Sequence, residues 1–87
     1  MSYEVILHPR AKRELDRVPR ELFQRLDGAI WSLREQPRPI GVKKLGDDLY
    51  RVRIGNWRVI YAIFDRDRRV VVLRVAKRSE QTYKGLP

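Results

Sequence analysis

Eighty-seven residues are enough for one small domain, 1–87, and a hydrophobic share of 43% is too high for a disordered chain. Cysteine is absent and histidine occurs once, which excludes disulfides, thiolate metal sites and the usual multi-histidine metal sites. Twenty Lys and Arg against eleven Asp and Glu give a net charge of +9, an excess that favours a polyanionic partner: nucleic acid, an acidic protein or a membrane surface.

The chain begins with YEVILH, Tyr3 to His8, which predicts a short, half-apolar strand. Pro9 suits the first turn of a helix, where its missing N–H costs nothing. Ala11, Leu15 and Val18 follow at helical spacing, with Lys12, Arg13, Glu14, Asp16 and Arg17 outside. Pro19 interrupts that pattern and opens a second helix. Its Leu22, Phe23, Leu26, Ala29, Ile30 and Leu33 form a wide apolar stripe with Trp31 at the edge. One buried face is what a helix in a small domain needs, so the stripe reads as core rather than cofactor pocket. Gln36-Pro37-Arg38-Pro39 ends this helix, because a residue before proline is pushed out of the helical region.

Val42 to Leu45 predicts a short strand and Gly46-Asp47-Asp48 a turn. LYRVRIGNWRVIYAI, Leu49 to Ile63, then reads as two strands joined at Gly55-Asn56. Alternation puts Tyr50, Val52 and Ile54 on one face, and Leu49, Arg51 and Arg53 on the other. On the second strand Trp57, Val59, Tyr61 and Ile63 share a face, with Arg58 opposite beside Ile60 and Ala62. Arginines clustered near a hairpin turn are either a solvated sheet face or a phosphate-binding surface on a rigid element, and bidentate phosphate contact suits Arg better than Lys. Asp65 to Arg68 is a polar turn. RVVVLRVAK, Arg69 to Lys77, is a β-branched inner strand, on which the period of two puts Arg74 and Arg78 on one face. The tail is polar apart from Tyr83 and Leu86.

Short turns between the later strands imply antiparallel neighbours. The expected architecture is α+β: an N-terminal strand and a helical hairpin packed on one face of a small, mainly antiparallel sheet, with the arginines on the other face. No apolar run approaches membrane-spanning length, and no signal-peptide pattern opens the chain. With cysteine absent, the expectation is a cytoplasmic protein with no membrane partner.

The helical hairpin, the YRVRIG-turn-WRVIYAI hairpin, and VVVLRVAKRSE followed by a tyrosine together resemble the RelE/ParE superfamily of bacterial and archaeal toxins over nearly the whole chain. The resemblance implies the toxin of a type II toxin–antitoxin pair, held in check by an acidic, RelB-like antitoxin. RelE-like members cleave mRNA, often in the ribosomal A site, without a metal or other cofactor. ParE-like members share the fold and poison DNA gyrase. Family catalytic positions fall on Arg51 and Arg53 of the YRVR strand, Arg58 of the next strand, Arg78 after the last strand, and Tyr83 of the tail.

That set fits the chemistry of RNA self-cleavage, in which a 2′-hydroxyl attacks the adjacent phosphate and the phosphorane charge must be neutralised. Arg58 and Arg78 are expected to clamp the phosphate, Arg51 and Arg53 to hold neighbouring phosphates, and Tyr83 to stack on an unstacked base. Lys43, Lys44, Arg74 and Lys77 are expected to add RNA contacts. Some RelE toxins carry lysines where this chain has Arg51 and Arg53, and many relatives carry Gly-His where it has Ala76-Lys77. Arginine stays protonated, so neither Arg51 nor Arg53 serves as general base. His8 stands far along the chain from the arginines and is given no acid–base role. Scattered carboxylates argue against a metal nuclease. A gyrase inhibitor without nuclease activity and a non-enzymatic nucleic-acid-binding module are the competing expectations.

Overall fold

A computed structural model describes residues 2–78; Tyr83 lies outside the described residues. The elements run β1 (Glu4–Leu7), α1 (Pro9–Asp16), α2 (Arg20–Ser32), β2 (Lys43–Lys44), β3 (Leu49–Ile54), β4 (Trp57–Phe64) and β5 (Arg69–Lys77), with a short 3-10 turn at Asp65–Asp67 between the last two. The strands form one sheet in the order β1-β5-β4-β3-β2. All neighbours are antiparallel except β1 and β5, which pair in parallel with Glu4 opposite Arg69 and Leu7 opposite Val72. The expected two-layer α+β arrangement is what the chain adopts. No helix among the described residues is long and apolar enough to cross a membrane.

Local chemistry explains the elements. Pro9 sits in the first turn of α1, and His8 caps that helix by accepting the Arg10 amide on Nδ1 at 3.2 Å. The lone histidine is thus a helix cap. Pro19 is the N-cap of α2. The second helix stops at Ser32, a turn before the proline pair, and closes through turns after Leu33. Gly55 takes a φ of 61° in the two-residue link between β3 and β4, the place a type II′ hairpin reserves for glycine.

Ala11, Leu15 and Val18 join Leu26, Ile30 and Leu33 to cover one sheet face. They pack on Tyr50, Val59, Tyr61, Ile63, Val70, Val72 and Val75. Leu26, Ile30, Leu33, Val59, Tyr61 and Val72 are each at most 1% exposed. The Tyr61 hydroxyl, deep in this layer, donates to the Pro37 carbonyl at 2.8 Å, and burial pushes its pKa up.

One irregularity controls what faces outward. Ile60 pairs with Arg74, but the next residue, Tyr61, pairs with Val72, so Leu73 is an extra residue in β5. Val70 and Val72 point into the core before this bulge, and Val75 does so after it. Strict alternation would have placed Arg74 with Val72, among the helices. The bulge instead turns Arg74 and Ala76 onto the open face. Arg78 lies beyond the end of β5, so it shares no strand face with Arg74.

Candidate functional site

Cross-strand partners share a face, so register shows which cations meet. Lys43 pairs with Arg51, Arg51 with Ile60, and Ile60 with Arg74, which makes one row across the open face. Arg53 pairs with Arg58, and Arg58 with Ala76, which makes the next row toward the hairpin turn. Lys44 pairs with Tyr50 and therefore belongs to the helical side, apart from the arginines.

Burial sorts these cations further. Arg53 is exposed and Arg58 half-buried, whereas Arg51 is 8% exposed and lies within the sheet surface. Arg74 sits differently from the other arginines. Its guanidinium is turned onto Glu14 of α1, with Nη2 2.8 Å from Oε2, and its side chain is 6% exposed. The pair ties β5 to α1.

At the turn end of the sheet a cleft of about 710 Å³ opens between the start of α2, the start of β4 and the end of β5. Pro19, Leu22 and Trp57 supply its apolar wall, Asn56 a polar amide, and Arg58, Lys77 and Arg78 its cations. Among the described residues lining it, none is acidic. The Arg58 Nη2 donates to the Arg78 carbonyl at 2.6 Å, and the Arg78 amide donates to the Asn56 carbonyl at 2.7 Å. Arg78 is thereby tied to the hairpin turn, and the Arg58 guanidinium is held at the cleft. Lys77 pairs with Trp57, and its Nζ stands 5.9 Å from the indole centroid.

The fold therefore brings Arg58, Lys77 and Arg78 together, with Arg53 beside them across the hairpin. Arg51 and Lys43 lie one row further away. The sequence reading missed Pro19, Leu22, Asn56 and Trp57 as cleft residues. Only Asn56 and Trp57 carried a signal, through their place at the turn between the arginine strands. Chemically the cleft can hold a phosphate on prepositioned guanidinium groups, with an apolar surface beside it.

A second polar cluster sits at the start of β3 and the end of β4. Arg38 makes a bidentate pair with Asp65, at 2.8 and 3.1 Å, and also donates to the Tyr50 hydroxyl at 3.2 Å. Tyr3 donates to Asp65 at 2.7 Å. Hydrogen bonds from Arg38 and then Tyr3 hold the Asp65 carboxyl down at about 2. The same pairing with Asp65, aided by Tyr50, raises the Arg38 pKa. This cluster fastens the N-terminal strand and the segment after α2 to the sheet.

Residues 5–82 match the family described as "ParE toxin of type II toxin-antitoxin system, parDE". The chain is 33% identical, over a 90-residue alignment, to a protein of Methanocaldococcus jannaschii named "Putative toxin RelE1", covering 98% of this chain and 99% of that one. It is 33% identical over 81 residues to toxin RelE of Mycobacterium tuberculosis, covering 88% of this chain and 82% of that one. Among solved structures, the archaeal RelE–RelB complex from Pyrococcus horikoshii superposes with a TM-score of 0.83 at 30% identity, over 92% of this chain and 99% of that one. A sheet with a helical hairpin on one face and arginines on the other, matched over almost its full length, makes this chain a toxin of the RelE/ParE superfamily, from type II toxin–antitoxin systems.

Proposed function

We propose that this toxin is an endoribonuclease that cleaves mRNA, on the ribosome, and so inhibits translation. The observation that carries the reading is the Arg58 guanidinium, anchored on the Arg78 carbonyl in a cleft whose charged lining, among the described residues, is wholly basic. In the proposed reaction the 2′-hydroxyl attacks the adjacent phosphorus, and the P–O bond to the next nucleotide's 5′-oxygen breaks. The products are a 2′,3′-cyclic phosphate and a 5′-hydroxyl. Arg58 and the Arg78 side chain bind the non-bridging oxygens and stabilise the extra charge of the phosphorane. Arg53, Arg51 and Lys43 hold flanking phosphates along the open face. Lys77 stands at the cleft as a further cation. Tyr83 is the stacking residue the family resemblance supplies.

The proposed inhibitor is an acidic, RelB-like antitoxin. The net charge of +9 supports it, as does the makeup of the open face. Beside the arginine rows lies a mainly apolar groove of about 530 Å³, lined by Leu49, Ala62, Phe64, Val71 and Leu73, with His8 and Asp48 at its polar end. An acidic segment with an apolar stripe would cover both halves of that face and mask the phosphate contacts.

Primer-extension mapping of cellular mRNA after brief induction tests the reading, with Arg58→Ala beside the wild type. Cuts within translated regions that vanish in the variant are expected. Cuts in untranslated RNA as well would remove the ribosome requirement. Growth arrest without cuts, together with inhibited gyrase supercoiling in vitro, would replace the nuclease by the gyrase-inhibitor reading.

A further inference from the structure

Trp57 has no role in the phosphate chemistry above, yet it is placed where a substrate must pass. Its indole lines the same cleft as Arg58, Lys77 and Arg78, and it is half-buried. The buried part packs against the helical core, together with Leu22. The ring is therefore a fixed plate and not a swinging side chain. Pro19 and Leu22 extend this apolar surface at the start of α2. Asn56, next in the chain, offers an amide that can both donate and accept.

An apolar wall with one amphoteric amide, rimmed by cations and free of carboxylates among the described residues, does not suit an acidic side chain or an inorganic anion alone. Either would leave the indole, Pro19 and Leu22 facing water. It suits a group that is flat and apolar on its faces, polar at its edge, and joined to an anion. A nucleotide has that form. Stacking is tolerant of base identity because every base has a π-face, whereas an amide at the base edge discriminates.

We propose that Trp57, with Leu22 and Pro19, forms a binding site for one unstacked base of a single-stranded RNA, and that Asn56 reads that base's edge. The inference rests on the nuclease reading for its substrate class. The phosphate attached to the bound base reaches Arg58 and Arg78. Lys77 is exposed, and its ammonium stands only at the outer limit of a cation–π contact. It therefore gives up the indole face at little cost and moves to a phosphate. The site joins the sheet and hairpin turn, which carry the arginines, to the start of α2.

Tryptophan emission tests this directly. The chain has two tryptophans, and Trp31 sits on the outside of α2, 42% exposed, bonded to Asp27 at 3.0 Å. Trp31→Phe leaves Trp57 as the sole emitter. Titration with 2′-O-methyl trinucleotides of A, C, G and U, which lack the attacking hydroxyl, should quench that emission by half or more. Trp57→Phe, in which only Trp31 emits, should show no quenching and should keep binding within about threefold, since a π-face remains. Trp57→Ala should weaken binding about tenfold, and Asn56→Ala should level the affinities of the four trinucleotides. RNA binding seen by anisotropy with Trp57 emission unchanged would overturn the proposal, and cleavage of mRNA on programmed ribosomes by the same preparation would then leave the nuclease reading standing. Quenching without cleavage of mRNA on programmed ribosomes would uphold the base site and remove the nuclease reading.

Discussion

Glu14 holds Arg74 across the junction of α1 and β5, with both carboxylate oxygens within 3.1 Å of the guanidinium Nε and Oε2 2.8 Å from Nη2. The same carboxylate accepts the Val75 amide at 2.9 Å. The parallel neighbour β1 is spent by this point, since its last paired residue, Leu7, stands opposite Val72. Helix α1 thus continues the work of β1: one side chain satisfies the exposed edge of β5 and neutralises the cation that the bulge turned outward.

Removing that carboxylate should destabilise the fold by about 3 kcal/mol, because it leaves a buried guanidinium without its counter-charge. Glu14→Gln keeps an acceptor for Val75, so Glu14→Ala should cost about 1 kcal/mol more. Urea unfolding of the two variants beside the wild type checks both the size and the order. Equal midpoints in all three would show that the pair contributes nothing.

Arg58→Ala and Arg78→Ala should each lower RNA cleavage by about 10²–10³-fold, the scale for one lost donor to a developing oxyanion. The two variants differ in a useful way. Arg58 is anchored on the backbone carbonyl of residue 78, which Arg78→Ala retains. That variant therefore removes one phosphate contact and leaves the other in place. Single-turnover cleavage rates, with thermal midpoints as the control for folding, measure this.

Gly55→Ala should destabilise the protein by about 1 kcal/mol, because an L-residue at a φ of 61° takes a left-handed backbone. Crowding adds little: the nearest atom to a new Cβ, Nη1 of Arg25, lies at ordinary contact distance, 3.6 Å. The turn also sets Arg53 opposite Arg58, so cleavage should fall further than the stability loss accounts for. Chemical denaturation and cleavage rate, read together on the variant, separate the two effects.

Asp65 makes stability depend on acid. Its folded pKa of about 2 lies below the ordinary aspartate value of roughly 3.9, so the unfolded chain takes up the proton first as pH falls. Its contribution is therefore complete above about pH 4, declines as pH drops toward 2, and is gone below that. Asp65→Asn should be less stable than the wild type at neutral pH, and the gap should close across this window. Thermal midpoints of both proteins between pH 5 and pH 2 test the sign; a gap that widens on acidification would refute it.

Salt should weaken RNA binding steeply, and Lys77→Ala should reduce the slope of log affinity against log salt by about 0.7, the value for one phosphate contact on a single strand. Lys44→Ala should leave that slope unchanged, because Lys44 pairs with Tyr50 on the helical side of the sheet. Fluorescence anisotropy across a salt series distinguishes the two lysines.

Much of this protein was legible from neighbouring residues. The stripe from Leu22 to Leu33, the alternation of Tyr50, Val52 and Ile54 against Arg51 and Arg53, and the turn at Gly55-Asn56 are local patterns, and the fold honours each of them. A period of 3.6 or of two is a property of the chain segment itself, and glycine's tolerance of positive φ is a property of one residue. The arginine face of β3 and β4 was readable for the same reason. What only the tertiary structure decided were relations between distant segments. The extra residue Leu73 shows itself only when β5 is laid against β4, and it reverses the face of Arg74. Glu14 looked like one more solvated charge on α1 until the helix was placed at the vacated edge of β5. The cleft is assembled from the start of α2, the hairpin turn and the end of β5, three pieces that no window of sequence contains together. Side-chain pattern along a strand says which residues can share a face; pairing register and packing across elements determine which of them meet.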